Sequence, residues 1–381
     1  MIAPKILLAA GGTGGHVFPA VAVAEQLRAA GYQPVFITDK RGKAMIPSDY
    51  RKTSIFAASP YGDNLMMRLK GLLKLGLGTA QTAFVLILSR PKVVIGFGGY
   101  PAVAPVIVGH VMGKPTMLHE QNAFLGRANH FLAHYSKKIG LSWPETRNVP
   151  AAMSHKITIT GMPVRDAFDQ MPGYTPPKDN GPIRMLIVGG SLGAAIFGET
   201  VPDAISRLPQ ALRERLVVTH QVRQEQIESV DEKYKAAGIK AELSPFIHDM
   251  AAVMADAHLV IGRAGASSVA ELATAGRPAL LVPYPHAMDD HQTANAEAVV
   301  AAKGGWLIPE QEMSAGSLAG KIATLISSPD QLAQAASHIR NLNKGNAAKI
   351  IADHVIALAT GQIDAKNAAK NTAKNASGEP S

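Results

Sequence analysis

The 381-residue sequence predicts an α/β protein built from two doubly wound, parallel-sheet domains. Three observations carry that prediction. The apolar run Lys5-Ile6-Leu7-Leu8-Ala9-Ala10 opens into Gly11-Gly12-Thr13-Gly14-Gly15-His16. A second run, Arg184-Met185-Leu186-Ile187-Val188, opens into Gly189-Gly190-Ser191-Leu192-Gly193. Each loop leads into an Ala-rich, helix-forming segment. An unbroken apolar run is what a strand buried on both faces requires. A strand that turns through glycines into a helix leaves free N–H groups and a positive dipole end at one spot, a place for an anion and usually a phosphate. Two such units predict two similar, Rossmann-like domains facing each other across a cleft.

In the first half, apolar strands are expected at Ile6–Ala10, Val35–Thr38, Val93–Ile95, Thr116–His119 and Ile157–Thr160, with helical or loop segments between them. Pro172, Pro176, Pro177, Gly181 and Pro182 mark a turn-rich linker. The pattern restarts at Met185–Val188 and continues through Leu216–Thr219, a short strand near Leu243, Leu259–Ile261 and Ala279–Val282. The expected boundaries are 1–165 for an N-terminal domain, 166–182 for the linker and 183–360 for a C-terminal domain. Residues 361–381 are polar and low in complexity, and disorder is expected there.

Two stretches imitate membrane spans. Val93–Gly113 carries no charge, but Gly96, Gly98, Gly99, Pro101 and Pro105 interrupt it. Strand, glycine turn and buried helix fit it better than a span of about 20 continuous helical residues. In Leu65–Leu88, leucines and methionines are interleaved with Arg68, Lys70 and Lys74, the composition of an interfacial helix. The plainer alternative is an amphipathic helix that covers the core.

Hydrophobic residues make up 47% and charged residues 18%, as in globular proteins with sizeable cores. Cysteine is absent, which excludes disulfides and thiolate metal sites. Met1-Ile2-Ala3-Pro4-Lys5 leads straight into the first strand, so a cytoplasmic location is expected rather than a secretory signal. The net charge of +9 is uneven: residues 1–160 hold 18 Lys and Arg against 6 Asp and Glu, the remainder 20 against 23. An anionic partner would favour the first half, whether membrane surface, nucleic acid or phosphorylated lipid. Aromatics at 5%, with no basic stripe between them, argue against nucleic acid.

The first glycine loop lacks the dinucleotide G-x-G-x-x-G spacing, although Asp39 lies at a plausible distance for a ribose contact. His16 stands where the helix begins, as a base or as a donor to an oxyanion. A lone histidine there is often structural, but the flanking glycines let a ligand approach. Gly98-Gly99-Tyr100-Pro101 follows another buried strand, and His119-Glu120-Gln121-Asn122 ends the next. Ligands of open α/β sheets bind outside such strand ends, which makes His119 and Asn122 candidates. Capping of the following helix would explain Asn122 equally well.

In the second half, Gly262-Arg263-Ala264-Gly265-Ala266-Ser267-Ser268 precedes a helix that carries Glu271. Small residues at a helix start admit a pyrophosphate, Ser267 and Ser268 add hydroxyls, and Glu271 can accept from two ribose hydroxyls. With Pro283-Tyr284-Pro285-His286 downstream, nucleotide binding is the expectation. His286, Asp289, Asp290 and His291 imitate a metal cluster, but their spacing matches no zinc motif. A sugar-hydroxyl loop is expected instead, and no metal.

Taken in order, Gly11–His16, His119–Asn122, Gly189–Ala194, Arg263–Ala266 and Asp290-His291-Gln292 with Asn295 resemble the MurG family, over roughly residues 5–355. Its members are UDP-N-acetylglucosamine:undecaprenyl-pyrophosphoryl-muramoyl-pentapeptide N-acetylglucosaminyltransferases of peptidoglycan synthesis. The resemblance implies a GT-B fold and an inverting, metal-independent transfer of GlcNAc from UDP-GlcNAc to the 4-hydroxyl of the muramoyl sugar of lipid I, giving lipid II. It implies no cofactor and no nucleic acid. It also implies a peripheral enzyme whose basic N-terminal domain meets the anionic inner leaflet on the cytoplasmic side. The family's donor contacts carry over onto Thr13, Gly14, Gly15, Asn122, Arg165, Ser191, Ile247, Gly265, Ala266, Ser267, Ser268, Glu271 and Gln292, and His291 beside Gln292 is a further substrate-binding candidate. An inverting transfer needs a base for the acceptor hydroxyl, and His16 is the candidate, with orientation of the substrate as its alternative role. Met162 stands where the family more usually has Asn, a departure confined to the interdomain hinge. Other enzymes of the same scaffold, such as a lipid glycosyltransferase or a UDP-GlcNAc 2-epimerase, and a non-enzymatic nucleotide-sugar-binding scaffold are the alternatives.

Overall fold

The computed structural model describes residues 3–57, 65–190, 193–342 and 345–362, without the side chains of 65–70, 72 and 169. Ser191 and, from residue 363 on, the expected disordered tail lie outside the described residues. The chain forms two units. One comprises the chain up to Gln121, Leu125–Pro163 and the chain from Asn346; the other comprises Asn122–Phe124 and Val164–Gly345.

The first unit runs β1 (Lys5–Ala9), α1 (Gly14–Ala29), β2 (Gln33–Thr38), α2 (Lys40–Met45), β3 (Arg51–Ser54), α3 (Leu65–Ser89), β4 (Val93–Gly96), α4 (Val103–Val111), β5 (Thr116–Glu120), α5 (Arg127–Leu132), β6 (Lys138–Leu141) and β7 (Ile157–Ile159). Its strands form one parallel sheet in the order β3-β2-β1-β4-β5-β6-β7. Successive side chains of β1 enter opposite cores. Ile6, Leu8 and Ala10 pack with α1, while Leu7 and Ala9 pack with α3, α4 and α5. Burial on both faces is why β1 reads as a continuous apolar run instead of an alternating one.

The second unit runs α6 (Asp166–Asp169), β8 (Ile183–Val188), α7 (Ala195–Ser206), α8 (Gln210–Arg213), β9 (Leu216–Gln221), α9 (Ile227–Ala236), β10 (Lys240–Ser244), α10 (Met250–Asp256), β11 (Leu259–Gly262), α11 (Ala266–Ala275), β12 (Ala279–Leu281), α12 (His291–Ala301), β13 (Gly305–Leu307), α13 (Ala315–Ile326) and α14 (Pro329–Arg340). Its sheet is again parallel, in the order β10-β9-β8-β11-β12-β13. The segment expected to be a linker is strapped to this unit. Phe168 is buried, the Tyr174 hydroxyl donates to the His258 carbonyl, and the Arg277 guanidinium donates to the Pro172 carbonyl.

The last helix, α15 (Ala347–Ala359), departs from the sequence boundary. The second domain was expected to run to residue 360, yet α15 packs on α1 in the first unit. Ile351, Ala352, Val355 and Leu358 join the core of Ile6, Leu8 and Val17. An amphipathic helix carries no mark in its own sequence of which core it will join.

Both sheets reverse their winding beside the first strand of the unit, between β1 and β4 and between β8 and β11. Ligands of open α/β sheets sit at such switch points. In each unit both strands flanking the reversal end in a glycine-rich loop.

Candidate active site

In the first unit, α1 starts at Gly14 with Thr13 as its extended N-cap, and no side chain caps the helix end. The first N–H groups of α1 and the positive end of its dipole are therefore open to a ligand. Asp39 does not lie ready for a ribose, as its spacing suggested. Its Oδ1 accepts from Gly12 N at 3.0 Å and from Gly42 N at 2.8 Å, tying the glycine loop to the start of α2.

His16, half-buried in the first turn of α1, places Nδ1 2.9 Å from Gln121 Oε1. Its ring lies over the loop that follows β4. Gly98 and Gly99 have φ of 86° and 71°, and a Cβ on them would come 3.3 Å and 3.4 Å from the imidazole. Glycine is needed there for both backbone and space. The run 119–122 divides its tasks. His119 is wholly buried, with Nε2 3.0 Å from Gly161 O, and burial pushes its pKa down to about 4. It is an internal support and has no surface to offer a substrate. Glu120 Oε2 accepts from Gly126 N and from Asn129 Nδ2, and so holds the start of α5.

Asn122 does not cap α5, whose N-cap is Gly126. It belongs by contacts to the second unit, where its Oδ1 accepts from Asn295 Nδ2 at 3.1 Å. Asn295 is wholly buried; it also accepts from Ala123 N at 2.7 Å and donates to Ala264 O at 2.9 Å.

At the second unit's switch point, the loop after β8 needs its first glycine. A Cβ at Gly189 would collide with the backbone of Gly193 and Ala194. Across from it, Gly265 is the N-cap of α11, and Ala266, Ser267 and Ser268 fill the first turn without a capping side chain. Gln292 Oε1 accepts from Ala264 N at 3.2 Å and Tyr284 N at 3.0 Å, joining the loops after β11 and β12. The His291 ring donates from Nδ1 to Met288 O at 2.6 Å. Arg165, the N-cap of α6, donates to Glu271 on α11 at 2.9 Å. Burial pushes the Glu271 pKa up, and Arg165 opposes that push. Ile247 is half-buried in the loop after β10.

His286, Asp289, Asp290 and His291 do not converge. The His286 ring stacks edge-on against Tyr284, Asp290 accepts from Thr293, and no group of three metal-ligating side chains forms among the described residues. The structure thus gathers Thr13, Gly14, Gly15 and His16 at one switch point. At the other it gathers Gly265, Ala266, Ser267, Ser268, Glu271, Arg165 and Gln292. Sequence reasoning passed over the roles of Gln121 and Asn295, both of which stand within motifs it had singled out.

Comparison with known proteins gives this architecture its class. Residues 6–141 match the glycosyltransferase family 28 N-terminal domain, and residues 184–355 match the glycosyltransferase family 28 C-terminal domain. The two sheets with paired glycine loops are those of a GT-B glycosyltransferase. A UDP-N-acetylglucosamine--N-acetylmuramyl-(pentapeptide) pyrophosphoryl-undecaprenol N-acetylglucosamine transferase from Paramagnetospirillum magneticum is 45% identical, over 93% of this chain and 97% of its own. One of the same name from Rhizobium meliloti is 43% identical, over 95% of this chain and 97% of its own. The crystal structure of Acinetobacter baumannii MurG is 30% identical, with a TM-score of 0.78, over 92% of this chain and 99% of that one. The chain belongs to the MurG family.

Proposed function

We propose that this chain transfers GlcNAc, with inversion, from UDP-GlcNAc to the 4-hydroxyl of the muramoyl sugar of lipid I, the undecaprenyl-pyrophosphoryl-MurNAc-pentapeptide, giving lipid II. The imidazole fixed at the head of α1, in a chain 45% identical to a transferase so named, carries this conclusion. His16 removes the proton of the acceptor hydroxyl as that oxygen attacks C1 of GlcNAc, and UDP departs from the opposite face. Thr13, Gly14 and Gly15 present the open helix end beside it.

In the second unit, the start of α11 at Gly265 and Ala266, the Ser267 and Ser268 hydroxyls and Arg165 meet the charge developing on the diphosphate. Glu271 takes the ribose hydroxyls. Ser191 and Ile247 complete the nucleotide contacts. Gln292, its carbonyl already engaged by two backbone N–H groups, offers its amide NH2 to the sugar, and His291 and Asn122 are its further contacts there. No metal or organic cofactor is assigned a part.

No helix of the described residues is long and apolar enough to cross a membrane. The first unit instead exposes Leu73, Leu77, Phe84, Ile87 and Leu88 along α3, with Val111 and Met112 at the end of α4, on which α3 packs. Spacings of four, seven and four between Leu73, Leu77, Phe84 and Leu88 keep them on one helical face. Lys74 is exposed beside them, while the side chains of Arg68 and Lys70 lie outside the described residues. This apolar face on a basic unit seats the enzyme on the anionic cytoplasmic leaflet of the inner membrane, where a lipid-linked acceptor resides.

Incubation with labelled UDP-GlcNAc and a short-chain lipid I analogue, with and without EDTA, tests the activity. Transfer that survives EDTA, with the product linked in the opposite anomeric sense to the donor, is expected. Epimerised UDP-GlcNAc without acceptor, or binding without turnover, would replace it with an epimerase or a scaffold.

A further inference from the structure

We infer that Gln121 is a positioning residue that fixes the tautomer of His16, keeping the proton on Nδ1 and leaving Nε2 as the bare, basic nitrogen. The chain of hydrogen bonds can be read only one way. Gly161 O is a carbonyl and can only accept, so His119 Nε2, 3.0 Å away, carries a proton. The Gln121 amide has one end 3.1 Å from the His119 carbonyl, again an acceptor, so that end is the NH2. The same NH2 lies 3.1 Å from His119 Nδ1, which must therefore accept, and His119 is neutral. The other end of the amide is its oxygen, 2.9 Å from His16 Nδ1. That nitrogen must donate. A neutral imidazole has one N–H, and so His16 Nε2 is left with a free lone pair.

Everything behind the amide is held still. Gln121 is buried, and Trp143 Nε1 donates to its carbonyl at 3.1 Å. His119 is wholly buried, and burial keeps it neutral well below physiological pH, so the relay does not invert there. Gly98 and Gly99, without side chains, leave the His16 ring the space it occupies beside Gln121. An imidazole in water favours the opposite tautomer, with the proton on Nε2, where it could not act as the base. The amide corrects this without adding a second charge. It therefore selects the reactive nitrogen through a neutral partner.

This inference rests on His16 as the base, and the experiment separates the two. Two-bond 1H–15N spectra of the full-length, imidazole-labelled protein, with His16 assigned from a His16→Gln variant, read the tautomer without any turnover. A protonated Nδ1 and bare Nε2 at His16 are expected in the parent. In Gln121→Met the proton redistributes toward Nε2, and kcat falls about 10- to 100-fold while KM for UDP-GlcNAc stays within about threefold. Gln121→Glu still accepts from His16 Nδ1 and keeps the tautomer, but it gives up both donations to His119, so only part of kcat is recovered. Its carboxylate moves the acid limb of the kcat profile up by about one pH unit. A parent His16 with its proton on Nε2, or an unchanged tautomer in Gln121→Met, overturns the assignment. The parent spectrum decides even if Gln121→Met does not fold. Near-parental turnover in His16→Ala would sink the base and leave the tautomer result standing.

Discussion

The Arg165 guanidinium donates a 2.9 Å hydrogen bond to the Glu271 carboxylate while lying 5.0 Å from the centre of the Phe168 ring. It places a cation beside the carboxylate proposed to take the ribose. Arg165→Gln is expected to raise KM for UDP-GlcNAc about tenfold, the worth of one charge-assisted hydrogen bond. Burial already pushes the Glu271 pKa up, and losing Arg165 lets it rise further. The KM penalty therefore grows as pH falls, because protonation removes an acceptor. The Arg165 side chain is 55% exposed and that of Glu271 only 18%, so losing the guanidinium leaves a largely buried carboxylate without its partner and should also lower the melting temperature. A donor KM unchanged from pH 8 to pH 6 would contradict this.

Asn295 holds Ala123, Asn122 and Ala264 together with three buried or half-buried hydrogen bonds. Asn295→Ala leaves an N–H and a carbonyl unpaired, and a loss of about 2–4 kcal/mol is expected in urea unfolding. Asn295→Asp should cost as much, because it can no longer donate to Ala264 O. A loss below about 0.5 kcal/mol in both would remove Asn295 from this role.

Acid should destabilise the protein earlier than its carboxylates alone would. Burial lowers the His119 pKa to about 4 and the His220 pKa to about 3, from an ordinary 6.5. Between pH 6.5 and about 4 the unfolded chain binds these protons and the folded chain does not. Stability is thus fully present above pH 6.5 and falls on acidification, by about 1.4 kcal/mol per pH unit for each histidine. Urea midpoints at pH 7.5, 5.5 and 4.5 measure it, and His220→Gln should remove one histidine's share of the slope, to which His258 and His354, their pKa values also lowered by burial, contribute as well. Midpoints that stay flat from pH 7 to pH 5 would show that these imidazoles are not held neutral.

Phe84→Ser with Ile87→Ser should weaken sedimentation with anionic vesicles at least about tenfold, since burying each side chain is worth about 1.5–3 kcal/mol. Turnover on a short-chain, water-soluble acceptor should be unaffected. Unchanged vesicle binding would move the membrane face elsewhere.

Much of this fold is legible in the sequence, for a physical reason. β1 and β8 are buried on both faces and announce themselves as apolar runs ending in glycine. The strands missed were those lacking that signature. β3 (Arg51–Ser54) is an edge strand of exposed and half-buried residues, β6 (Lys138–Leu141) is interrupted by glycine, and β13 (Gly305–Leu307) spans three residues. The glycine loops, His16 and the Ser267–Glu271 turn were visible because backbone approach constrains local sequence. Gln121 and Asn295 act across 105 and 172 residues, a distance that no local pattern encodes. Asp39 misled because one carboxylate suits a ribose or an N-cap equally. Its spacing of three from Gly42 was the capping signal.

Turnover of labelled UDP-GlcNAc and a lipid I analogue by His16→Ala, beside the parent enzyme, tests the central claim most directly. A fall in kcat of about 100-fold or more, with donor KM little changed, is the predicted result. Turnover within a few-fold of the parent would contradict it and place the base elsewhere.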